Sequence, residues 1–241
     1  MNVVLEKEAP FPVFQPLVHL TTGQFFGYEA LLRSATHRTP EALFRKARAE
    51  GYLYELDTLS MKKAIESYST RVTFLDHAPL LFVNVFPSTL LNPAFLSFIT
   101  EGCLFRLWSR RIVLEINEAN EEDKMWEIRV LGQKIRELRQ HGFLIALDDV
   151  GSGAASLKKI VEYEPDIVKL DRYFGKQLSS IPNKQKLVSL FVQYCHDHTQ
   201  LVLEGIEEPE DLAVALALGV PVGQGFLLGH PEPLQATQQR R

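Results

Sequence analysis

The sequence predicts an α/β fold, a TIM-like (β/α)8 barrel with an antiparallel first strand, and three observations carry that reading. Short apolar runs recur along the chain, each with a polar residue near its end. Phe25–Tyr28 runs into Glu29, Leu80–Val83 into Asn84, and Ile112–Leu114 into Glu115. Leu144–Leu147 ends in Asp148-Asp149, Ile167-Val168 in Lys169, Leu201–Leu203 in Glu204, and Pro221–Gly223 in Gln224. Secondly, from about Leu80 onward these runs alternate with helix-like stretches, the pattern of βα units. Thirdly, Thr21-Thr22-Gly23-Gln24 separates two strand-like runs, a linker too short to join parallel strands. Burying one ionised group in hydrocarbon is expensive unless it is paired or metal-bound. Repeating that cost along the chain implies that the groups converge, and a parallel barrel gathers its strand C-termini on one face.

The elements follow in order. Val13–Leu20 and Phe25–Leu32 form a hairpin that sets Gln15 roughly opposite Glu29, so the reversed strand delivers Gln15 to the carboxylate end. Helices are expected near Pro40–Glu50 and Glu55–Tyr68. A further helix spans about Glu121–Gln140, where Met125, Ile128, Leu131, Ile135 and Leu138 recur at three- and four-residue steps before His141-Gly142 stops it. Two more are expected near Asn183–His198 and Pro209–Leu218. With no long linker or repeat, residues 1–241 read as one domain with its core at about 12–233 and a disordered tail at about 235–241.

Composition narrows the function. A chain of 241 residues with 46% hydrophobic and 23% charged residues matches one soluble barrel. A net charge of −4 argues against a broad DNA, RNA or membrane-surface footprint, although metal ions would let an acidic site take an anionic substrate. Cys103 and Cys195 are far apart and form no CxxC pair, which fits reduced, packing thiols. The start of the chain has no signal-peptide character and no stretch is apolar enough to span a bilayer, so a cytoplasmic location is expected.

Glu29, Asn84, Glu115, Asp148 and Asp149 are all oxygen donors, a set that suits Mg²⁺ or Mn²⁺ rather than zinc. Each taken singly is also a good helix cap or rim carboxylate; five on separate apolar runs are harder to explain that way. Adjacent strand residues face opposite ways, so Asp148 and Asp149 serve one site only where the backbone turns, which Gly151 and Gly153 permit. Lys169, in a buried strand, must pair with carboxylates or face a polar pocket. An ion pair with Asp171 is the structural alternative; holding an attacking water or a phosphoryl oxygen is the functional one.

These motifs resemble the EAL domain family over roughly Pro12 to Pro233. The matching residues are Gln15-Pro16, Tyr28-Glu29-Ala30-Leu31-Leu32-Arg33, Val83-Asn84-Val85, Glu115-Ile116-Asn117-Glu118 and Asp148-Asp149-Val150-Gly151-Ser152-Gly153. Val168-Lys169-Leu170-Asp171, Glu204-Gly205-Ile206-Glu207 and Gln224–Pro231 continue the series, while Glu41-Ala42-Leu43 is a chance second tripeptide. The resemblance implies a phosphodiesterase that opens cyclic di-GMP to linear pGpG with two divalent cations. It implies that Glu29, Asn84, Glu115 and Asp148 ligate one ion and that Asp148 and Asp149 hold another. By the same resemblance Lys169 and Glu204 position and activate water, Gln224 supports the site, and Gln15 and Arg33 contact the dinucleotide. Glu118 would brace the loop after Asp149.

Val150, Ala154-Ala155 and Phe86 depart from the family's common residues, and the loop change leaves a homodimer open. No cyclase (GGDEF) or sensor segment accompanies the barrel in this sequence, so regulation is expected through expression, partners or self-association. Two other readings stand beside hydrolysis: a non-catalytic cyclic di-GMP receptor or protein-interaction module, and a barrel phosphodiesterase for glycerol-linked diesters. His196-Asp197 lacks the further ligands of an HD-type phosphohydrolase and reads as a surface helix end. Trp108 and Trp126 are expected in the outer packing layer.

Overall fold

A computed structural model describes residues 10–35, 39–72, 78–117, 129–152, 156–196 and 198–234. Eight strands close into a barrel in sequence order: β1 (Phe11–His19), β2 (Phe25–Arg33), β3 (Leu80–Val85), β4 (Ile112–Asn117), β5 (Leu144–Val150), β6 (Ile167–Leu170), β7 (Gln200–Leu203) and β8 (Val222–Gly223). β1 runs antiparallel to both β2 and β8, and the other neighbours are parallel. The hairpin register places Gln15 directly opposite Glu29, as the short turn predicts.

The expected helices form at Pro40–Ala49, Leu53–Ser69, Pro182–Cys195 and Pro209–Ala217. Three of them start on a proline, whose fixed φ suits a first helical turn. Of the helix predicted over Glu121–Gln140, the described residues hold Arg129–Gln140, with Leu131, Ile135 and Leu138 buried on one face. Met125, Trp126, Ile128 and the tail lie outside the described residues. Helices at Phe95–Glu101 and Cys103–Trp108 were not expected. Trp108 packs in the outer layer, edge-on to Tyr68 at 5.4 Å between ring centroids.

The strand pleat sorts the core into two shells. Outward residues such as Leu81, Val83, Leu114, Leu147, Val168 and Leu201 pack against Met61, Ile65, Leu138 and Val188 of the helices. Inside the barrel, seven strands each give one residue to a plug: Leu17, Phe82, Val113, Ala146, Ile167, Val202 and Val222. The eighth place falls on Gly27 of β2, the register partner of Leu17. A Cβ there would stand 2.7 Å from the Phe82 ring and 2.8 Å from the Leu80 carbonyl oxygen, so the Phe82 ring fills the space a side chain would need. Side chains repeat on one face every second residue. Two residues past the plug, the parallel strands therefore raise Glu29, Asn84, Glu115, Asp148, Lys169, Glu204 and Gln224. Reversed β1 does the same two residues before Leu17, with Gln15.

Because the Phe82 ring occupies the eighth plug position, Phe82→Ala should cost about 3–5 kcal/mol in urea unfolding. Gly27→Ala in that background should be tolerated better than in the wild type, by about 0.5 kcal/mol or more. Strict additivity of the two changes would show that they do not compete for one space.

Candidate active site

At the barrel mouth the fully buried Lys169 ammonium is surrounded by acids. Its Nζ lies 2.6 Å from Glu204 Oε1, 3.1 Å from Asp148 Oδ1 and 3.3 Å from Glu29 Oε2, and it also contacts Glu115 Oε1. The alternative pairing with Asp171 does not form; Asp171 instead caps the helix Arg172–Gly175 by accepting the Tyr173 N–H at 2.7 Å. Amides complete the ring. Gln224 Nε2 donates to Glu29 Oε2 at 2.7 Å and to Gln15 Oε1 at 3.3 Å. Asn84 Nδ2 donates to Glu29 Oε1 at 3.3 Å, and Gln15 Nε2 to the Gly229 carbonyl at 3.1 Å.

One ammonium cannot balance every carboxylate here. Burial would raise Glu29, yet the Lys169 charge and the Gln224 and Asn84 amides outweigh it and hold Glu29 below its usual range. Glu115, one strand beyond Asn84 from Glu29, is pushed well above the carboxylate range by burial and by the Glu29 charge. Burial likewise raises Glu204 and Asp148 against the pull of Lys169. Burial would depress Lys169, but Asp148, Glu115, Glu204 and Glu29 together hold it well above its ordinary value.

The Asp148-Asp149 pair is brought together differently from the sequence expectation. The turn was placed after the pair, but it falls on Asp149 itself, whose φ is +53°, while the β5–β6 register shifts between Leu147 and Val150. Aspartate tolerates the left-handed region better than most residues. Asp148 thus keeps its inward place beside Lys169 while Asp149 also stays at the mouth. Gly151, at φ +95°, continues the turn where a Cβ would collide with the Phe174 ring. Burial and the Asp148 charge push Asp149 up to about 7. Gly153, Ala154, Ala155 and Glu118 lie outside the described residues.

The donor set fits divalent cations. One oxygen each from Glu29, Glu115 and Glu204 lie within 4.8 Å of one another, and so do oxygens of Asp148, Asp149 and Glu204. Glu115 Oε2 is buried with no hydrogen-bond partner among the described residues, as a ligand oxygen without its ion would be. Glu204 belongs to both triads, a sharing that the sequence reading, which gave it to water alone, did not reach.

A groove of about 1060 Å³ opens beside this ring and runs from Glu29, Asn84, Asp148 and Asp149 past Arg33 to Phe44, Arg45, Arg48 and Phe86. Arg33 is half-buried in its wall, with Nη1 donating to the Leu32 carbonyl at 2.9 Å. Asp57 was missed by sequence reasoning. It is 1% exposed, on helix Leu53–Ser69, and its Oδ2 accepts the Phe86 N–H at 3.0 Å. An aspartate one residue after buried Leu56, on a face shared with Met61, was the available signal.

A closed β/α barrel whose mouth gathers carboxylates, amides and one lysine defines a class of acidic site with an oxygen donor set for divalent cations. The chain belongs to the EAL domain family, which matches residues 3–231. It is 29% identical over 234 residues to a probable cyclic di-GMP phosphodiesterase, PdeI, of Escherichia coli (strain K12), covering 94% of this chain and 29% of that protein. It is 28% identical over 182 residues to the cyclic di-GMP phosphodiesterase PdeA of Borreliella burgdorferi, covering 75% of this chain and 27% of the relative. The chain thus spans less than a third of the length of these two relatives. Among solved structures, the PaMucR phosphodiesterase in complex with c-di-GMP superposes with a TM-score of 0.79 at 25% identity, covering 95% of this chain and 94% of that one. The Klebsiella pneumoniae BlrP1 complex with manganese and cy-diGMP shares the fold, with a TM-score of 0.81 at 24% identity over 92% of this chain and 56% of that one.

Asp149 ionises near 7 in the fold but near 3.8 when unperturbed, so the folded state holds the extra proton between those values. This group therefore weakens the metal-free fold as pH climbs through that window. A divalent ion ligated by Asp149 would have to displace that proton, so Mn²⁺ binding there is expected to tighten with rising pH. The increase in melting temperature on adding Mn²⁺ should be larger at about pH 8 than at about pH 6. A larger increase at the lower pH would contradict the assignment.

Proposed function

We propose that this barrel hydrolyses cyclic di-GMP to linear pGpG as a metal-dependent phosphodiesterase. The observation that carries the reading is the pair of carboxylate triads sharing Glu204 around one lysine, at the mouth of a groove lined by Arg33. Similarity to proteins named cyclic di-GMP phosphodiesterases supports the choice of substrate. Glu29, Asn84, Glu115 and Asp148 would hold one divalent ion, Mg²⁺ or Mn²⁺, and Asp148 and Asp149 a second, with Glu204 within reach of both. When bound, such a pair lowers the pKa of water and clamps the attacking and leaving oxygens of an in-line displacement.

The chain's own residues supply the geometry. Gln224 and Asn84 orient the two oxygens of Glu29, and Gln15 is held between Gln224 and the Gly229 carbonyl; Gln15 is assigned to contacting the dinucleotide. The Glu204 carboxylate, the least buried of the Lys169 partners, takes the proton of the attacking water. Lys169 holds that carboxylate in place and steadies the charge that develops on the phosphoryl oxygens. Arg33 pairs with a phosphate of the substrate. Glu118 is assigned to bracing the loop after Asp149. The same reading takes the chain as one barrel domain acting on a free dinucleotide in the cytoplasm, with a homodimer as an allowed assembly. Among the described residues no helix is long and apolar enough to cross a membrane.

Glu29→Gln and Lys169→Met should each lower turnover by about 10²–10⁴-fold while the circular dichroism spectrum stays that of the wild type. Chromatographic detection of pGpG after incubation with Mn²⁺ or Mg²⁺ is the measurement. A wild-type protein that binds cyclic di-GMP but leaves it intact with either ion would overturn hydrolysis in favour of a receptor.

A further inference from the structure

Outside the ring and the groove, two buried charged groups have no part in the hydrolytic reading. Lys184 is 5% exposed on helix Pro182–Cys195, and Asp211 is 2% exposed on helix Pro209–Ala217. Both reach the connection that leaves β6, the strand of Lys169. Lys184 Nζ donates to the carbonyls of Tyr173 and Lys176, the latter at 2.7 Å, and lies 4.1 Å from the centroid of the Tyr173 ring. Asp211 accepts the Gln177 N–H at 2.9 Å, the Ser179 N–H at 2.8 Å and the Ser179 hydroxyl at 2.7 Å. Gln177 has φ +55°, so Asp211 holds a backbone conformation that few side chains adopt. Irregular backbone needs hydrogen-bond partners, and stapling this connection is one use for both groups. Neutral side chains would do the same at a smaller desolvation cost.

The inner side of the same connection gives a second use. Helix Arg172–Gly175 touches both turns that carry the triad Asp148, Asp149 and Glu204. A Cβ on Gly175 would collide with the Glu204 carbonyl oxygen, and one on Gly205 would stand 2.6 Å from the Arg172 carbonyl oxygen, so the two backbones lie directly against each other. The buried Phe174 ring fills the space that a Cβ of Gly151 would need. One short helix is thus wedged between the turn after Asp149 and the turn after Glu204. Glu29, Asn84 and Glu115 sit on β2, β3 and β4, none of which adjoins β6 or β7.

We propose that Lys184 and Asp211 are positioning residues that lock helix Arg172–Gly175 against the Glu204 backbone and the turn after Asp149, and so set the spacing of Asp148, Asp149 and Glu204. The inference rests on the reading of this site as a two-cation hydrolase. Lys184 fixes the end of the helix through two carbonyls, and Asp211 fixes the residues that follow. Loss of either frees the helix to move outward. Because glycines make the inner contact, no side chain there takes up the slack. A shift of about 1 Å in a positioned group can cost about a hundredfold in rate. The ligands on β2, β3 and β4 keep their places, so the effect falls on one ion and on turnover rather than on the whole mouth.

The test compares the wild type with Lys184→Met, which fills similar space without a donor, Lys184→Arg, which restores donors, and Asp211→Asn. Mn²⁺ binding is followed by calorimetry without substrate, kcat and KM are measured with cyclic di-GMP and Mn²⁺, and urea unfolding reports the fold. Lys184→Met and Asp211→Asn should each weaken one of two Mn²⁺ binding events and lower kcat by about 10–100-fold. KM and the other binding event should stay within about twofold, and Lys184→Arg should recover most of the loss. Wild-type Mn²⁺ binding and kcat in both variants, at whatever cost in stability, would reduce the pair to a staple and overturn the inference. Losses spread equally over both ions and KM would overturn it too. Should Lys184→Met fail to fold, the milder Asp211→Asn decides. Wild-type protein that binds two ions but leaves cyclic di-GMP intact defeats hydrolysis, while the calorimetric comparison still judges the positioning. Wild-type protein that binds fewer than two ions defeats the two-cation reading and this inference together.

Discussion

Charge imbalance in a buried ring governs this molecule. Lys169 is enclosed by Glu29, Glu115, Asp148 and Glu204, and a single ammonium cannot neutralise them all. Without a further cation, some of these acids must keep protons, which is why Glu115 and Glu204 stand far above their ordinary range while Glu29, richest in donors, stands below it. Packing alone would never select such an arrangement, since replacing a buried ion cluster with hydrocarbon is commonly neutral or stabilising. The cluster makes sense as a socket whose remaining positive charge comes from outside the chain.

That socket is stable because the barrel beneath it is filled. The plug of Leu17, Phe82, Val113, Ala146, Ile167, Val202 and Val222 excludes water from below and fixes the height of each strand. A shift of any strand by one residue would turn its polar group into the helical layer and its outer apolar residue into the mouth. The register that holds the core is thus also the register that assembles the chemistry, and at the Gly27 position of the plug a neighbour's ring replaces a side chain.

Much of this was legible in the residues. The four-residue turn at Thr21–Gln24 was enough to reverse β1 and set Gln15 against Glu29, because hairpin geometry is local. The carboxylates could be read because each follows an apolar run, and the two-residue step from plug to ring was present in Val113-Leu114-Glu115 and Ile167-Val168-Lys169. The left-handed turn at Asp149 was not readable, since two glycines nearby offered a more obvious hinge. Asp57 and Arg48 escaped for another reason. Their contacts are with Phe86, just past β3 and distant in the chain, and the helical position of Asp57 hints at burial without naming that partner.

The reversal of β1 has a consequence for anything attached to this barrel. In an all-parallel barrel the first strand enters from the floor; here Phe11 pairs with Arg33 at the upper rim, and Phe14 bridges to Glu232 on the way out. Both ends of the described polypeptide therefore emerge beside the mouth, at the pole that holds the carboxylate ring. A bulky group set against Phe11 or Glu232 would stand at that rim, whereas the Thr21–Gln24 loop at the opposite pole offers a remote point of attachment.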